Sequence, residues 1–330
     1  MFDTPILFLI FNRPNETEKV FEVIRKVAPK HLYIAADGPR SNKEGESELC
    51  KTVRDVVTDI DWECDIRTLY REKNLGCKEA VSEAINWFFR QEEQGIILED
   101  DCLPDISFFP YCEQLLEKYK NDDSIISIGG TNLGYEFPNQ YSYGFSRFMN
   151  MWGWATWRRS VNLVDYNMAE WRQKSRKGWF LHQRIQPSLF TFDLNWIKYW
   201  EFFFNQVSSG KIDTWDYQWI FAQLKYKKLS VFPAKNLVKN IGFDNTATHT
   251  FFPEHQIAHF KKESICFPLI APNQKEIDEK YENDYLKKIW FTYNKQPIFY
   301  ILKNKLIQKV GLSLSVLKIK DSQKAIIEQD

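Results

Sequence analysis

From Ile6 to Gly129 the chain alternates short apolar runs with longer stretches whose apolar positions recur at helical spacing. Ile6 to Phe11 precedes a helix over Glu16 to Lys26, Leu32 to Ala36 precedes one over Ser47 to Ile60, and Cys64 to Tyr70 precedes one over Cys77 to Gln91. Ile96 to Leu98, a helix from Ser107 to Lys120 and a strand from Ile125 to Gly129 complete the series. Such alternation predicts an α/β fold: a mostly parallel sheet with helices on both faces and right-handed crossovers. Val20, Phe21, Ile24 and Val27 mark the buried face of the first helix, which opens at Asn15 and is stopped by Pro29. Ala80, Val81, Ala84, Ile85 and Phe88 line the helix that leaves the Gly76 turn.

After Asn132 the pattern becomes irregular and rich in Gly, Asn and Tyr as far as Trp157. Helices return over Asp193 to Val207 and Trp215 to Lys225, then a strand over Leu229 to Phe232 and an irregular segment to Thr250. The pattern contains no internal repeat, low-complexity tract or clean linker. It divides into residues 1–132 and 133–252, halves of one globule, and a helical, lysine-rich extension over 253–330. Residues 286–320 hold eight lysines and no acid. Two readings stay open there: an amphipathic element on a membrane surface, or lysine-flanked helices packed on a domain edge.

A chain of 330 residues buries a substantial core without staples. A formal charge of zero with no general basic excess argues against a nucleic-acid partner. Aromatics reach 16%, and nine of the twelve Trp fall between Trp152 and Trp219, which points to an aromatic core with a carbohydrate-stacking surface as the alternative. The six cysteines (Cys50, Cys64, Cys77, Cys102, Cys112, Cys266) form no CxxC pair or disulfide framework, which fits a reducing cytoplasm. The opening apolar stretch, Pro5 to Phe11, has no basic flank and is too short for a leader or spanning helix, so it reads as the first strand.

The chemistry concentrates where the strands end. Glu99, Asp100 and Asp101 follow the run Gly95 to Leu98, and a parallel strand would deliver them to the sheet edge where ligands bind. Hard oxygen ligands there suit Mg²⁺ or Mn²⁺ carrying a diphosphate, and an acidic turn ahead of Pro104 is the alternative. The other strand ends are also polar: Asn12-Arg13-Pro14, Asp37-Gly38-Pro39-Arg40, Glu72 to Gly76 and Gly129 to Asn132. Together they would line one crevice.

Asn12-Arg13-Pro14, Asp37-Gly38 and Ile97-Leu98-Glu99-Asp100-Asp101, with Lys78, Pro104-Asp105, Phe108-Phe109, Gly153-Trp154 and Trp215-Asp216-Tyr217-Gln218-Trp219, resemble in order the nucleotide-diphospho-sugar transferases of the GT-A fold. Among these the likeness is to N-acetylglucosaminyltransferase I and its relatives, from Pro5 to Thr250; bacterial sugar transferases are similar too. The resemblance implies a GT-A, Rossmann-like sheet with a nucleotide-sugar half followed by a donor-sugar and acceptor half. It further implies a metal-dependent, inverting transfer from a UDP-sugar, with UDP-N-acetylglucosamine a candidate, to a glycan or glycolipid of a surface polysaccharide. It places the metal on Asp101, ribose or metal-bound water on Asp100, and donor sugar or ribose near Glu99. Arg13 would meet pyrophosphate or base, Asp37 the uracil imide N–H, and Lys78 phosphate. Trp154, with Trp152, would shape the donor-sugar pocket, and His249 would reach the diphosphate or metal.

Asp216 would take the acceptor's proton. Enzymes akin to N-acetylglucosaminyltransferase I carry two adjacent acids before the second Trp, where Tyr217 and Gln218 stand here, and Asp213 is a second candidate. The cysteine usage fits a cytoplasmic protein, and the lysine-rich residues 286–320 leave open a peripheral contact with the inner membrane face. Two other readings stand beside the transferase: a sugar nucleotidyltransferase, whose Gly-rich amino-terminal loop is missing from this sequence, and a non-catalytic binding protein on the same scaffold.

Overall fold

The computed structural model describes residues 2–138, 140–174, 194–243 and 260–294. An eight-stranded sheet runs in the order β3-β2-β1-β4-β8-β6-β9-β7. Its first half is parallel and joins β3 (Asp65–Tyr70), β2 (His31–Ala36), β1 (Ile6–Ile10) and β4 (Gln94–Glu99), with Ile6 level with both Leu32 and Ile96. β8 (Trp154–Trp157) then enters antiparallel between β4 and β6 (Ile125–Gly129). β9 (Leu229–Pro233) returns parallel to β6, and β7 (Tyr143–Ser146) closes the edge antiparallel to β9. The fold is therefore the expected α/β, Rossmann-like type, a mostly parallel sheet flanked by helices.

Each central strand is buried on both faces, and its residues alternate between two helical layers. Ile6, Phe8, Ile10, Leu32, Ile34 and Ala36 share a core with Val20, Phe21 and Ile24 of α1 (Pro14–Val27), Val53 of α2 (Glu46–Val56), and Leu115 of α4 (Phe108–Tyr119). Tyr33 turns the other way, onto Trp87 and Phe88 of α3 (Cys77–Phe89), at 5.3 and 4.8 Å between ring centroids. Helix α1 carries Pro14 in its first turn and ends on Ala28 in the left-handed conformation (φ 50°), whose N–H caps the Ile24 and Arg25 carbonyls.

The second half builds its own aromatic core. Short helices α5 (Arg158–Val161) and α6 (Ala169–Lys174) lead to α7 (Leu194–Ser208) and α8 (Asp216–Lys225). Trp171, Phe204 and Phe221 meet pairwise at 5.2 to 5.8 Å. Among the described residues, the aromatics near the middle of the sequence are thus largely interior. A two-stranded ribbon pairs β5 (Cys102–Pro104) with β10 (Val238–Asn240) and brings the later chain back beside the acidic triplet.

The compact unit that begins at the amino terminus runs on to Glu282, and a second unit begins at Asn283. The expected boundary at residue 252 therefore falls inside the first unit: Ile265 N–H donates to Ser107 Oγ at 3.1 Å, and Ile277 bridges to Phe145. Helix α9 (Glu279–Asn294) starts in that unit. Residues 295–320 of the lysine-rich stretch lie outside the described residues. Among the described residues no helix is long and apolar enough to cross a membrane.

Candidate active site

A cleft of about 300 Å³ opens at the carboxyl ends of β1, β2 and β4. Its walls come from Phe11 to Arg13 after β1, Asp37 and Arg40 after β2, Arg71, Asn74 and Gly76 before α3, and Glu99 to Asp101 after β4. Four of the five polar strand ends singled out in the sequence meet there. The fifth, Gly129 to Asn132, does not line it, because antiparallel β8 separates β6 from β4. Gly130 N–H is instead bonded to the Gly153 carbonyl at 2.7 Å, and Thr131 and Asn132 are buried.

Arg13 sits at the position preceding α1, so its side chain is free of the helix and reaches Asp101, Nη1 to Oδ2 at 3.0 Å. Gly242 backs this pair. A Cβ there would stand 2.3 Å from Asp101 Oδ2 and 2.5 Å from Arg13 Nη1, so any larger residue would displace this ion pair. Asp101 also accepts the Ile241 N–H on its backbone carbonyl at 2.8 Å. Asp100 accepts the Phe11 N–H at 3.0 Å and is buried; desolvation, then the Asp101 charge, raises its carboxyl to about 7. Glu99 is pushed well above the ordinary range by desolvation first, then by the charges of Asp101, Asp100 and Asp216. Crowded carboxylates of this kind attract either protons or a cation.

The opposite wall is the turn into α3, where four successive N–H groups are held by two carboxylates. Asp37 takes those of Leu75 (3.0 Å) and Gly76 (3.2 Å), and Asp213 takes those of Cys77 (2.8 Å) and Lys78 (3.1 Å). Asp37 also accepts from Gly38 N at 2.8 Å and Asn74 Nδ2 at 2.9 Å. Burial nevertheless raises its carboxyl, the effect outweighing those hydrogen bonds. Asp37 lines the cleft as expected, yet its oxygens are already engaged by the turn.

Three expected contacts, Lys78, Trp154 and Asp216, stand outside the cleft lining. Lys78 is not among the cleft-lining residues, although its N–H joins the turn. Trp154 is fully buried in β8, stacked on Trp215 at 5.8 Å and edge-on to Trp219 at 4.8 Å, so it is an interior strut and not a sugar platform. The more exposed Trp152 meets Phe243 edge-on at 5.5 Å. His249 lies outside the described residues. Asp216 opens α8, where its Oδ1 accepts the Tyr217 N–H at 2.9 Å, and its charge reaches Glu99; Asp213, not Asp216, lines the cleft. The sequence reading did not single out Gly242, Asn240 or Arg71 as site residues. Asn74 stood within a noted polar strand end, but Gly242 carried no signal, because its role depends on a ribbon partner far away in the chain.

No protein-family model and no curated protein matches this chain. Solved structures similar to it include mouse xyloside xylosyltransferase 1 in its apo form, at 10% identity and a TM-score of 0.33, covering 68% of this chain and 82% of the other. Another is 4-diphosphocytidyl-2C-methyl-D-erythritol synthase from Anaerococcus prevotii, at 10% identity and a TM-score of 0.31, covering 53% and 80%. A UDP-glucose pyrophosphorylase complexed with UDP-glucose follows at 12% identity and 0.25, covering 44% and 63%.

Proposed function

We propose that the chain is a metal-dependent, inverting glycosyltransferase that moves a sugar from a nucleotide-diphosphate donor, a UDP-sugar, to a glycan or glycolipid acceptor. One observation carries the reading: Glu99, Asp100 and Asp101 converge with Arg13 at the carboxyl mouth of parallel strands, where an α/β sheet binds its ligand. Among the described residues no group of three or more His, Cys, Asp or Glu could hold a metal by itself. The donor set fits Mg²⁺ or Mn²⁺ of the kind held by one or two carboxylates and completed by substrate phosphates. Asp101 would hold it, and the ion would supply Lewis-acid stabilisation to the departing diphosphate.

The chain's own groups divide the remaining work. With Asp101 engaged by the ion, Arg13 would be available to pair with phosphate oxygens. Asp100 and Glu99 face the ribose and donor sugar. Asp216 accepts the proton of the acceptor hydroxyl, with Asp213 the second candidate for that role.

A screen of nucleotide sugars with Mn²⁺, read as slow donor hydrolysis without acceptor and transfer with it, tests the proposal. Asp101→Ala should abolish metal-dependent nucleotide binding in calorimetry, and Asp216→Asn should keep donor binding while losing transfer. Release of pyrophosphate from a nucleoside triphosphate and a sugar phosphate would identify a nucleotidyltransferase instead. Nucleotide binding with no turnover of any donor would identify a binding protein.

A further inference from the structure

The nucleotide reading leaves open which residue recognises the base, and the turn before α3 bears on it. An acid can read an imide N–H only with an oxygen to spare. Asp37 has little left: Oδ1 accepts from Gly38 N and Leu75 N, and Oδ2 from Asn74 Nδ2, Leu75 N and Gly76 N, all within 3.2 Å. Asn74 is in the opposite condition. Its Nδ2 lies 2.9 Å from Asp37 Oδ2 and 2.9 Å from the Gly38 carbonyl. A carboxylate and a carbonyl only accept, so the amide can be oriented in one sense alone, with both N–H bonds committed and Oδ1 turned away as an acceptor. Asn74 lines the cleft.

We propose, on the premise that the cleft binds a nucleoside diphosphate, that Asn74 and not Asp37 reads the base: Asn74 Oδ1 accepts an imide N–H, and Asp37 is the positioning residue that fixes the amide's orientation. Uracil offers that N–H at N3. Cytosine, of the same ring size, presents a lone pair at N3, and two acceptors then face each other. The cleft therefore selects uridine over cytidine diphosphate, since a site built to hydrogen-bond a donor rejects the analogue that lacks it. Asn12 is the rival acceptor in the same cleft, but only one of its amide hydrogens is placed, on Glu46 Oε1 at 2.9 Å, so its carbonyl is less firmly aimed.

The test is calorimetric binding of UDP and CDP, each with Mn²⁺, to the full chain and to Asn74→Ala and Asn12→Ala. The unaltered protein should prefer UDP by about tenfold or more, and Asn74→Ala should weaken UDP by about tenfold while changing CDP less than about threefold. A turn merely loosened by the substitution would weaken both nucleotides alike, so the ratio separates reading from structure. Equal weakening, an unaltered ratio, or a ratio that collapses only in Asn12→Ala overturns the assignment while leaving the nucleotide reading intact. An unaltered protein that binds neither diphosphate removes that reading and this proposal with it.

Discussion

Asp100 lies buried at the end of β4, and desolvation, with Asp101 second, carries its carboxyl from 3.8 to about 7. The folded chain thus holds a proton that the unfolded chain has already released. Stability from this group is complete below about pH 4 and is lost as pH rises through about 7. Asp100→Asn keeps an oxygen for the Phe11 N–H and removes the titration. The variant should melt above the unaltered protein at pH 8, by an amount on the order of 1–4 kcal/mol, with the gap closing by pH 4. A variant that melts lower at pH 8, or a gap that ignores pH, would mean that Asp100 is readily ionised in the fold. At this scale the sequence exposed the acids, because a triplet after an apolar strand stands out. It did not reveal which oxygens are already engaged. Asp37 meets donors 37 to 39 positions along the chain only when β2 and β3 pair, and no local pattern marks that meeting.

Helix α3 was legible as an element because its apolar face recurs at helical spacing, but its cap was not. Asp213 caps the helix from 136 residues downstream. Gly76, at φ +87°, makes room for it, since a Cβ there would stand 2.5 Å from Asp213 Oδ2. Gly76→Ala should destabilise by about 1–3 kcal/mol through backbone strain and this contact. Asp213→Ala should cost about 0.5–2 kcal/mol through the lost cap. The two should not add: with the carboxylate removed, the alanine has one obstacle fewer. Urea unfolding of the singles and the double measures that coupling. Costs that sum to within about 0.5 kcal/mol would show that Asp213 is not what Gly76 accommodates.

Across the whole molecule, the parallel half of the sheet could be read from alternation, whereas the mixed half could not. β7 and β8 are four residues each and buried throughout, so they show neither the length nor the alternation that marks a half-exposed strand. Nothing local announces that β8 inserts between β4 and β6. The edge strand β7 is tied instead by a buried ion pair. Glu282 accepts from Arg147 Nε at 2.9 Å, from Arg147 N–H at 2.6 Å and from Ser146 Oγ at 3.2 Å, with the two charged side chains only 11% and 4% exposed. Desolvation still raises the Glu282 carboxyl against the pull of Arg147. Glu282→Leu alone removes the carboxylate that neutralises the buried Arg147 and should cost about 3–5 kcal/mol in urea unfolding. Arg147→Met combined with Glu282→Leu removes both charges and takes the Glu282 acceptor from the residue-147 N–H and the Ser146 hydroxyl, a residual cost of about 1–3 kcal/mol. The double variant should therefore be the more stable of the two. A double no better than the single would mean that the packing of the two side chains, and not the mutual neutralisation of their charges, holds the first turn of α9 beside β7.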